Sequence, residues 1–289
     1  LKLIKKVKPD IVHLYNLHGY YINEFRVLNY LKKNNIKTVY AMLDEYPYMG
    51  KCCYSYNCNK FQTECGKCPE VKSYPKSLFF DRSKKIFNLK KDAYNKFENI
   101  VFTAPQWVIN RAKSSALLKD KKFATIDEFV DLEKTFYPRN TIELRNKLGI
   151  QENKLIVLTV APFSDPRKGG IYYLNLAKFL EKENMVFIHV GYNGETENLP
   201  KNFIPIGFVA NQDELAAFYS LADLFVCTSL ADTMPNVCLD ALSCGTPVCG
   251  FDAACTPFVA TKEFGTFTPT GNIETLASVV KNSPKKNDD

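Results

Sequence analysis

The chain has 289 residues, 46% of them hydrophobic, enough for two domains with cores of ordinary size. No apolar run approaches the ~20 residues that cross a bilayer. The net charge of +7 reads first as a solvated Lys-rich surface and second as attraction to anionic head groups or anionic substrates. No Arg-rich cluster or single-strand-binding motif appears, so nucleic acid is not an expected partner.

Leu1 lies inside a helical pattern with no initiator Met, so the sequence reads as lacking its natural start. Residues 10–14 suit a strand, and the loop after them holds His18 and Gly19. Apolar residues at helical spacing predict a helix over 20–33, and the next strand spans 37–43. Asp44 and Glu45 follow that strand as His18 follows the first. Residues 46–79 form an aperiodic insertion rich in Cys, Tyr, Lys and Pro, and so long a loop needs a reason. An amphipathic helix over 82–97, a strand over 100–103 and a helix over 106–118 come next. Residues 123–138 read as a hinge, which sets the expected domains at 1–138 and 139–289.

A short helix over 141–148 ends at Gly149 and leads to a strongly apolar strand, 155–161. The basic loop 162–170, PFSDPRKGG, precedes a helix over 171–183. Strands over 185–190 and 204–209 and a helix over 212–222, capped by Asn211, follow. Residues 224–252 read as strand, acidic turn, helix, turn and strand. Asp232 and Thr233 offer caps there, Pro235 fits a first helical turn, and Gly245 and Pro247 stop the helix. A strand at 265–268 and a helix at 273–281 close the pattern. Strands alternating with helices mean α/β with parallel sheets in two lobes.

Three groupings carry chemistry. Arg167 and Lys168, set between a strand and a helix start, suit a diphosphate: Arg grips two oxygens in a fork, Lys adds a point charge, and the glycines admit the backbone. Asp232 and Asp240 could hold sugar and ribose hydroxyls, with the amides of Met234, Asn236 and Val237 facing a negative group between them. Cations for phosphates and carboxylates for hydroxyls together suit a nucleotide-activated sugar. In the insertion, Cys52, Cys58, Cys65 and Cys68 are spaced C-x5-C-x6-C-x2-C. They could hold a structural zinc, or stand as unligated thiols, or form disulfides in an oxidised preparation. The remaining cysteines of the second half (Cys227, Cys238, Cys244, Cys249, Cys255) read as buried thiols. His18 faces the expected cleft, whereas His13 and His189 read as core or sheet-edge residues. Tyr15, Tyr20, Tyr21, Tyr46 and Tyr48 could line an acceptor site or simply pack.

The motifs VAPFSDPRKGG (160–170), IGFVANQDELAAFYSLADLFVCTSL (206–230) and ADTMPNVCLDALSCGTPVCGFD (231–252) resemble the donor domain of family 4 glycosyltransferases. DIVHLYNLHGYY (10–21) and GKCCYSYNCNKFQTECGKCP (50–69) resemble the branch that makes exopolysaccharide and colanic-acid-like polymers. The resemblance implies a GT-B fold: two Rossmann-like parallel-sheet lobes facing a cleft, here with an incomplete N-terminal lobe. It implies retaining transfer, without a catalytic metal, from a UDP- or GDP-linked sugar to a glycan or lipid-linked acceptor in surface polysaccharide assembly. The implied place is the cytoplasm, at the inner face of the membrane and in peripheral contact with anionic lipid.

On the same resemblance, Arg167 and Lys168 match the diphosphate pair, and the two-glutamate motif falls on Asp232 and Asp240. Phe208 and Val209 match the segment beside the base. Asp232, His18 and Asp44 are the catalytic candidates. The chain departs from the family where both glutamates are aspartates, and where Leu43 stands in the place of a His before Asp44. These departures favour the alternative of a non-catalytic nucleotide-sugar-binding or scaffold relative.

Overall fold

The computed structural model describes residues 1–77, 79–126, 133–260 and 262–286. The chain divides into two compact units, Leu1–Asp127 and Glu128–Asp289.

The first unit runs α1 (Lys2–Val7), β1 (Ile11–Tyr15), α2 (Glu24–Lys33), β2 (Lys37–Ala41), α3 (Ser83–Tyr94), β3 (Ile100–Ala104), α4 (Gln106–Ser114) and β4 (Lys122–Thr125). Its four strands are parallel and lie in chain order. The predicted helix over 20–33 begins only at Glu24. Tyr20 adopts a left-handed φ of 59°, and the Asn23 side chain accepts the Arg26 amide as the true cap. Val27, Leu28 and Leu31 of α2 are buried with Phe87 of α3, Phe102 of β3 and Val108 and Ile109 of α4. Each such side chain contributes about 1.5–3 kcal/mol on burial.

The second unit runs α5 (Ile142–Lys147), β5 (Leu155–Val160), α6 (Gly170–Phe179), β6 (Met185–Val190), β7 (Phe203–Ile206), α7 (Gln212–Leu221), β8 (Leu224–Cys227), α8 (Asn236–Ser243), β9 (Val248–Phe251), β10 (Gly265–Thr268) and α9 (Ile273–Lys281). Its parallel sheet has the order β10-β9-β8-β5-β6-β7. Residues of β5 alternate between two cores. Val157 packs with Tyr173 and Leu176 of α6 and Leu276 of α9; Ile156 and Leu158 pack with Phe218 and Tyr219 of α7 and Cys238 of α8. The five cysteines of this unit are all buried, as expected.

The region expected as a hinge, 123–138, behaves differently in its parts. Its start belongs to β4, which pairs with β3 through Phe102 and Phe123. Residues 127–132 lie outside the described residues. Phe136 meets Tyr219 edge to face with ring centroids 6.0 Å apart, and the Arg139 amide donates to Ser220 Oγ at 3.2 Å. The expected boundary after Pro138 thus lies inside the second unit.

Candidate active site

In the second unit the strand order reverses between β5 and β8. From β5 the chain proceeds outward through β6 and β7, and from β8 through β9 and β10. The strands pair directly, Val157 with Leu224 and Leu158 with Phe225. Loops leaving such a pair part toward opposite faces and open a crevice at the carboxyl edge, where parallel sheets bind ligands. The loop after β5 carries Arg167 and Lys168 on a 3₁₀ turn, Pro166–Lys168, and the loop after β8 carries Asp232. Gly169 joins that turn to α6 with φ of 68°, and a Cβ there would meet Thr228 O at 2.0 Å. Only glycine lets the two loops lie this close.

The structure brings the predicted cations and the first predicted acid together. Lys168 Nζ lies 2.7 Å from Asp232 Oδ2, and Arg167 Nη1 lies 3.5 Å from the same oxygen. Arg167 also donates to Ala231 O at 3.1 Å and to Asp165 Oδ2 at 3.1 Å. Asp165 Oδ1 holds the Arg167 amide at 3.0 Å, and Asp232 Oδ1 takes the Thr233 amide at 3.0 Å. Asp232 is therefore a brace for the cations rather than the expected helix cap. Pro235, expected in the first helical turn, sits at the cap position, and no side chain caps α8. One of the three N–H bonds of Lys168 goes to Asp232, which leaves two for another acceptor.

Asp240 lies on α8, and none of the described residues gives its carboxylate a hydrogen bond. Burial pushes its pKa up to about 6. Met234 and Val237 are half-buried and Asn236 is exposed at the helix start, whose first amides carry the positive end of the helix dipole. Phe208, in the loop after β7, is 88% exposed, while Val209 packs into the core beside α7. Asn211 caps α7 as expected, accepting from the Asp213 and Glu214 amides.

In the first unit His18 and Asp44, from the loops after β1 and β2, meet at 2.7 Å between Nε2 and Oδ2. The Tyr46 amide holds the other carboxylate oxygen at 2.9 Å, and Cys53 Sγ lies 3.8 Å from both ring nitrogens of His18. His18, Tyr20, Tyr21 and Tyr46 line a cavity of about 800 Å³ with Arg82 and Lys85. Tyr48 does not belong to it: it is fully buried and donates to Glu45 Oε1 at 2.7 Å. Tyr15 is bonded to His13 on the exposed face of β1, and His189 is a core residue whose Nε2 meets Ala161 O. Burial holds the His189 pKa down, at about 4, so it stays neutral. Leu43, in the place of the family His, is 50% exposed. Of the four spaced cysteines, Cys52 and Cys68 approach to 3.4 Å between sulfurs. Among the described residues, the one set of three metal-type ligands already gathered is instead His18, Asp44 and Cys53.

Sequence reasoning missed two groups. Asp165 fixes Arg167, and its signal was an Asp-Pro start to the basic turn. Glu45 anchors a buried network with Tyr48, Ser55 and Arg111, for which the sequence carries no local sign because Arg111 is 66 residues away.

The glycosyl transferases group 1 family matches residues 154–283. Over 171 residues, 54% of this chain, the sequence is 30% identical to the alpha-galactosylglucosyldiacylglycerol synthase of Streptococcus pneumoniae, covering 44% of that protein. Over 83% of this chain it is 22% identical to the putative colanic acid biosynthesis glycosyl transferase WcaC of Escherichia coli, covering 59% of it. The chain thus spans about half the length of these curated relatives. The crystal structure of Anabaena HepE in complex with UDP matches 96% of this chain and 70% of that one, at 18% identity and a TM-score of 0.68. Both lobes follow the parallel-sheet GT-B architecture.

Proposed function

Since residues 154–283 match the glycosyl transferases group 1 family, we propose that the chain moves a sugar from a UDP- or GDP-linked donor to a glycan or lipid-linked acceptor, with retention at the anomeric carbon. The observation that carries this reading is the cation pair held at the strand-order reversal. As the bond between sugar and diphosphate breaks, negative charge grows on the leaving phosphate oxygen. Lys168 and Arg167, already positioned by Asp232 and Asp165, stabilise that charge with little rearrangement. The uncapped amides of α8 add to the same field. Asp240 receives the ribose hydroxyls, which supply the donors its carboxylate lacks. Phe208 offers its exposed ring to the base. No metal enters this chemistry.

The acceptor belongs to the cavity of the first unit, where His18, fixed by Asp44, accepts a hydrogen bond from the acceptor hydroxyl and the tyrosines stack on sugar rings. The UDP in the HepE complex and the diacylglycerol in the name of the pneumococcal relative support the two ends of this reading. Surface polysaccharide or glycolipid assembly at the cytoplasmic face of the membrane is the matching process. The net charge of +7 suits peripheral contact with anionic lipid there. No helix among the described residues is long and apolar enough to cross a membrane.

A second reading, a binding or scaffold relative without turnover, is favoured by Leu43 and by the two aspartates that replace glutamates. Calorimetric titration with UDP, GDP and their sugar conjugates tests the first reading. One nucleotide binds, and Arg167→Ala and Asp240→Ala abolish the heat. No heat from any of them, with a folded sample, refutes the donor site. Binding without sugar release or transfer by the full-length protein selects the second reading.

A further inference from the structure

Residues 46–77 contain only two single-turn helices, Tyr46–Tyr48 and Lys60–Gln62, yet Cys52, Cys53, Phe61 and Cys65 within them are buried. Ordering so much irregular chain costs conformational entropy that some constraint must offset. Lysines hold its two ends: Lys90 donates to Tyr46 O and Met49 O, and Lys51 donates to the carbonyls of Glu70, Val71 and Ser73. The middle is anchored at Ser55, which bonds Glu45 and Arg111, and at the Phe61 carbonyl, which takes the Ala116 amide at 3.1 Å.

We propose that Cys52, Cys58, Cys65 and Cys68 bind one zinc ion that ties this segment together. Cys52 and Cys68, sixteen residues apart, bring their sulfurs to 3.4 Å. That is too long for a disulfide, at about 2.05 Å, and close to the ~3.8 Å edge of a tetrahedral zinc–thiolate site. Between Cys65 and Cys68, Lys67 takes a left-handed φ of 44° and bends the C-x2-C turn back on itself. A backbone amide already points at one of the sulfurs, as amides do around metal-bound thiolates. The Gly50 amide donates to Cys65 Sγ at 3.2 Å. A Cβ on Gly50 would come within 2.8 Å of Cys65 Cβ, so glycine allows that approach.

Binding releases the four thiol protons to solvent and leaves a site of net charge −2. Cations flank it: Lys60 Nζ caps Gly66 O and Lys67 O at 3.1 and 2.7 Å, and Lys51 adjoins Cys52 in the chain. Metal binding requires Cys58 and Cys65 to move toward that pair, since no three of the four sulfurs yet lie within 4.8 Å of one another. The rival set, His18, Asp44 and Cys53, holds an imidazole and a carboxylate already bonded to each other at 2.7 Å, a pair that a metal would have to part. Four thiolates match the closed structural form of zinc better than that mixed set.

The test uses the full chain purified under reducing conditions without chelator, then given zinc sulfate and desalted. Elemental analysis returns about one zinc per chain. Cys58→Ser and Cys65→Ser lose it, and His18→Ala and Cys53→Ser keep it. Because a cysteine variant could misfold, cobalt is also exchanged into the wild-type chain. An intense thiolate-to-cobalt band with tetrahedral visible bands is expected, and chelation speeds proteolysis within 52–77. Only traces of zinc in the folded chain, loss of zinc in His18→Ala or Cys53→Ser with retention in Cys58→Ser, or a Cys52–Cys68 disulfide found by mass spectrometry in reduced preparations would each overturn the proposal.

Discussion

Lys168 meets Asp232 at 2.7 Å in the second unit, and Arg111 meets Glu45 at 2.9 Å in the first. On paper these are equivalent ion pairs. Their surroundings differ. Glu45 is 3% exposed, and its two oxygens also take Tyr48 Oη, Ser55 Oγ and the Ser55 amide, so both oxygens are bonded within the protein. Lys168 keeps N–H bonds to spare, and the Asp240 carboxylate has none of its needs met by the described residues. A charge cluster that satisfies itself holds a fold together. One left unfinished at the carboxyl edge of a sheet awaits a ligand. In the first unit the paired charges replace the regular structure that 46–77 lacks; in the second, β5 and β8 already fix the backbone, and the charges are available for chemistry.

The largest effect is expected where the charges hold the fold. Glu45→Ala strips the half-buried Arg111 of its carboxylate and leaves the buried Tyr48 hydroxyl and Ser55 amide without their acceptor, and should cost about 3–5 kcal/mol. Urea unfolding followed by tryptophan fluorescence reads this directly, because Trp107 lies in the same unit and its ring is 5.3 Å from the Arg111 guanidinium. A cost below ~1 kcal/mol would mean that the network is ornamental.

Gly169→Ala comes next. Its Cβ would lie 2.0 Å from Thr228 O at a left-handed φ, so the loops after β5 and β8 must part, at about 2–3 kcal/mol. Nucleotide affinity should fall at least tenfold in a titration, with α/β circular dichroism retained; unchanged affinity would separate the crevice from the binding site.

Lys168→Met removes one charge-assisted phosphate contact, and should weaken nucleoside-diphosphate binding by about tenfold to a hundredfold. Binding of the uncharged nucleoside should change little. An equal loss for nucleoside and diphosphate would show that Lys168 serves the backbone and not the phosphate.

The smallest effect is on Asp240. Its folded pKa, about 6, lies above the ordinary carboxyl value, so its contribution to stability is full at low pH and is lost as pH rises through 6. Asp240→Asn should therefore stabilise the second unit at pH 7 by about 1–2 kcal/mol, after allowance for partial solvent exposure. The melting temperatures of variant and wild type should converge near pH 4. A parallel offset at all pH values would remove the titration from the explanation. The same shift predicts that nucleotide binding strengthens between pH 5 and 7, since the charged carboxylate accepts hydrogen bonds from hydroxyls.

The two units also differ in how far they could be read from sequence. Strand 185–190 and the strand that closes 224–252 are observed where expected, because buried parallel strands are short apolar runs between clear turn residues; strand 265–268 and helix 273–281 are also observed at the expected residues. Arg167, Lys168 and Asp232 were legible as a group because strand ends of one parallel sheet must share an edge. Their mutual bonding was not legible, since it depends on a Gly169 conformation that admits Thr228. In the first unit β4 was missed: Lys122–Thr125 is mostly exposed and short, so it carries no buried-strand pattern. Tyr48 could not be told from the cavity tyrosines, because a tyrosine beside a functional loop looks the same whether its hydroxyl meets solvent or Glu45. Lys90 was hidden for a like reason. Within a Lys-rich amphipathic helix nothing marks the one lysine that is fully buried, its Nζ on three carbonyls and 3.2 Å from the centre of the Tyr46 ring.

The central claim is that the nucleotide is held by the unfinished charges of the second unit and not by the cavity of the first. Hydrogen exchange of the chain with and without saturating UDP tests it most directly, since amides at the site are reported segment by segment. Slowed exchange in peptides covering 163–171 and 228–241, with 15–25 and 44–56 unchanged, is the predicted result. Protection confined to the segments around His18 and Asp44 would contradict it.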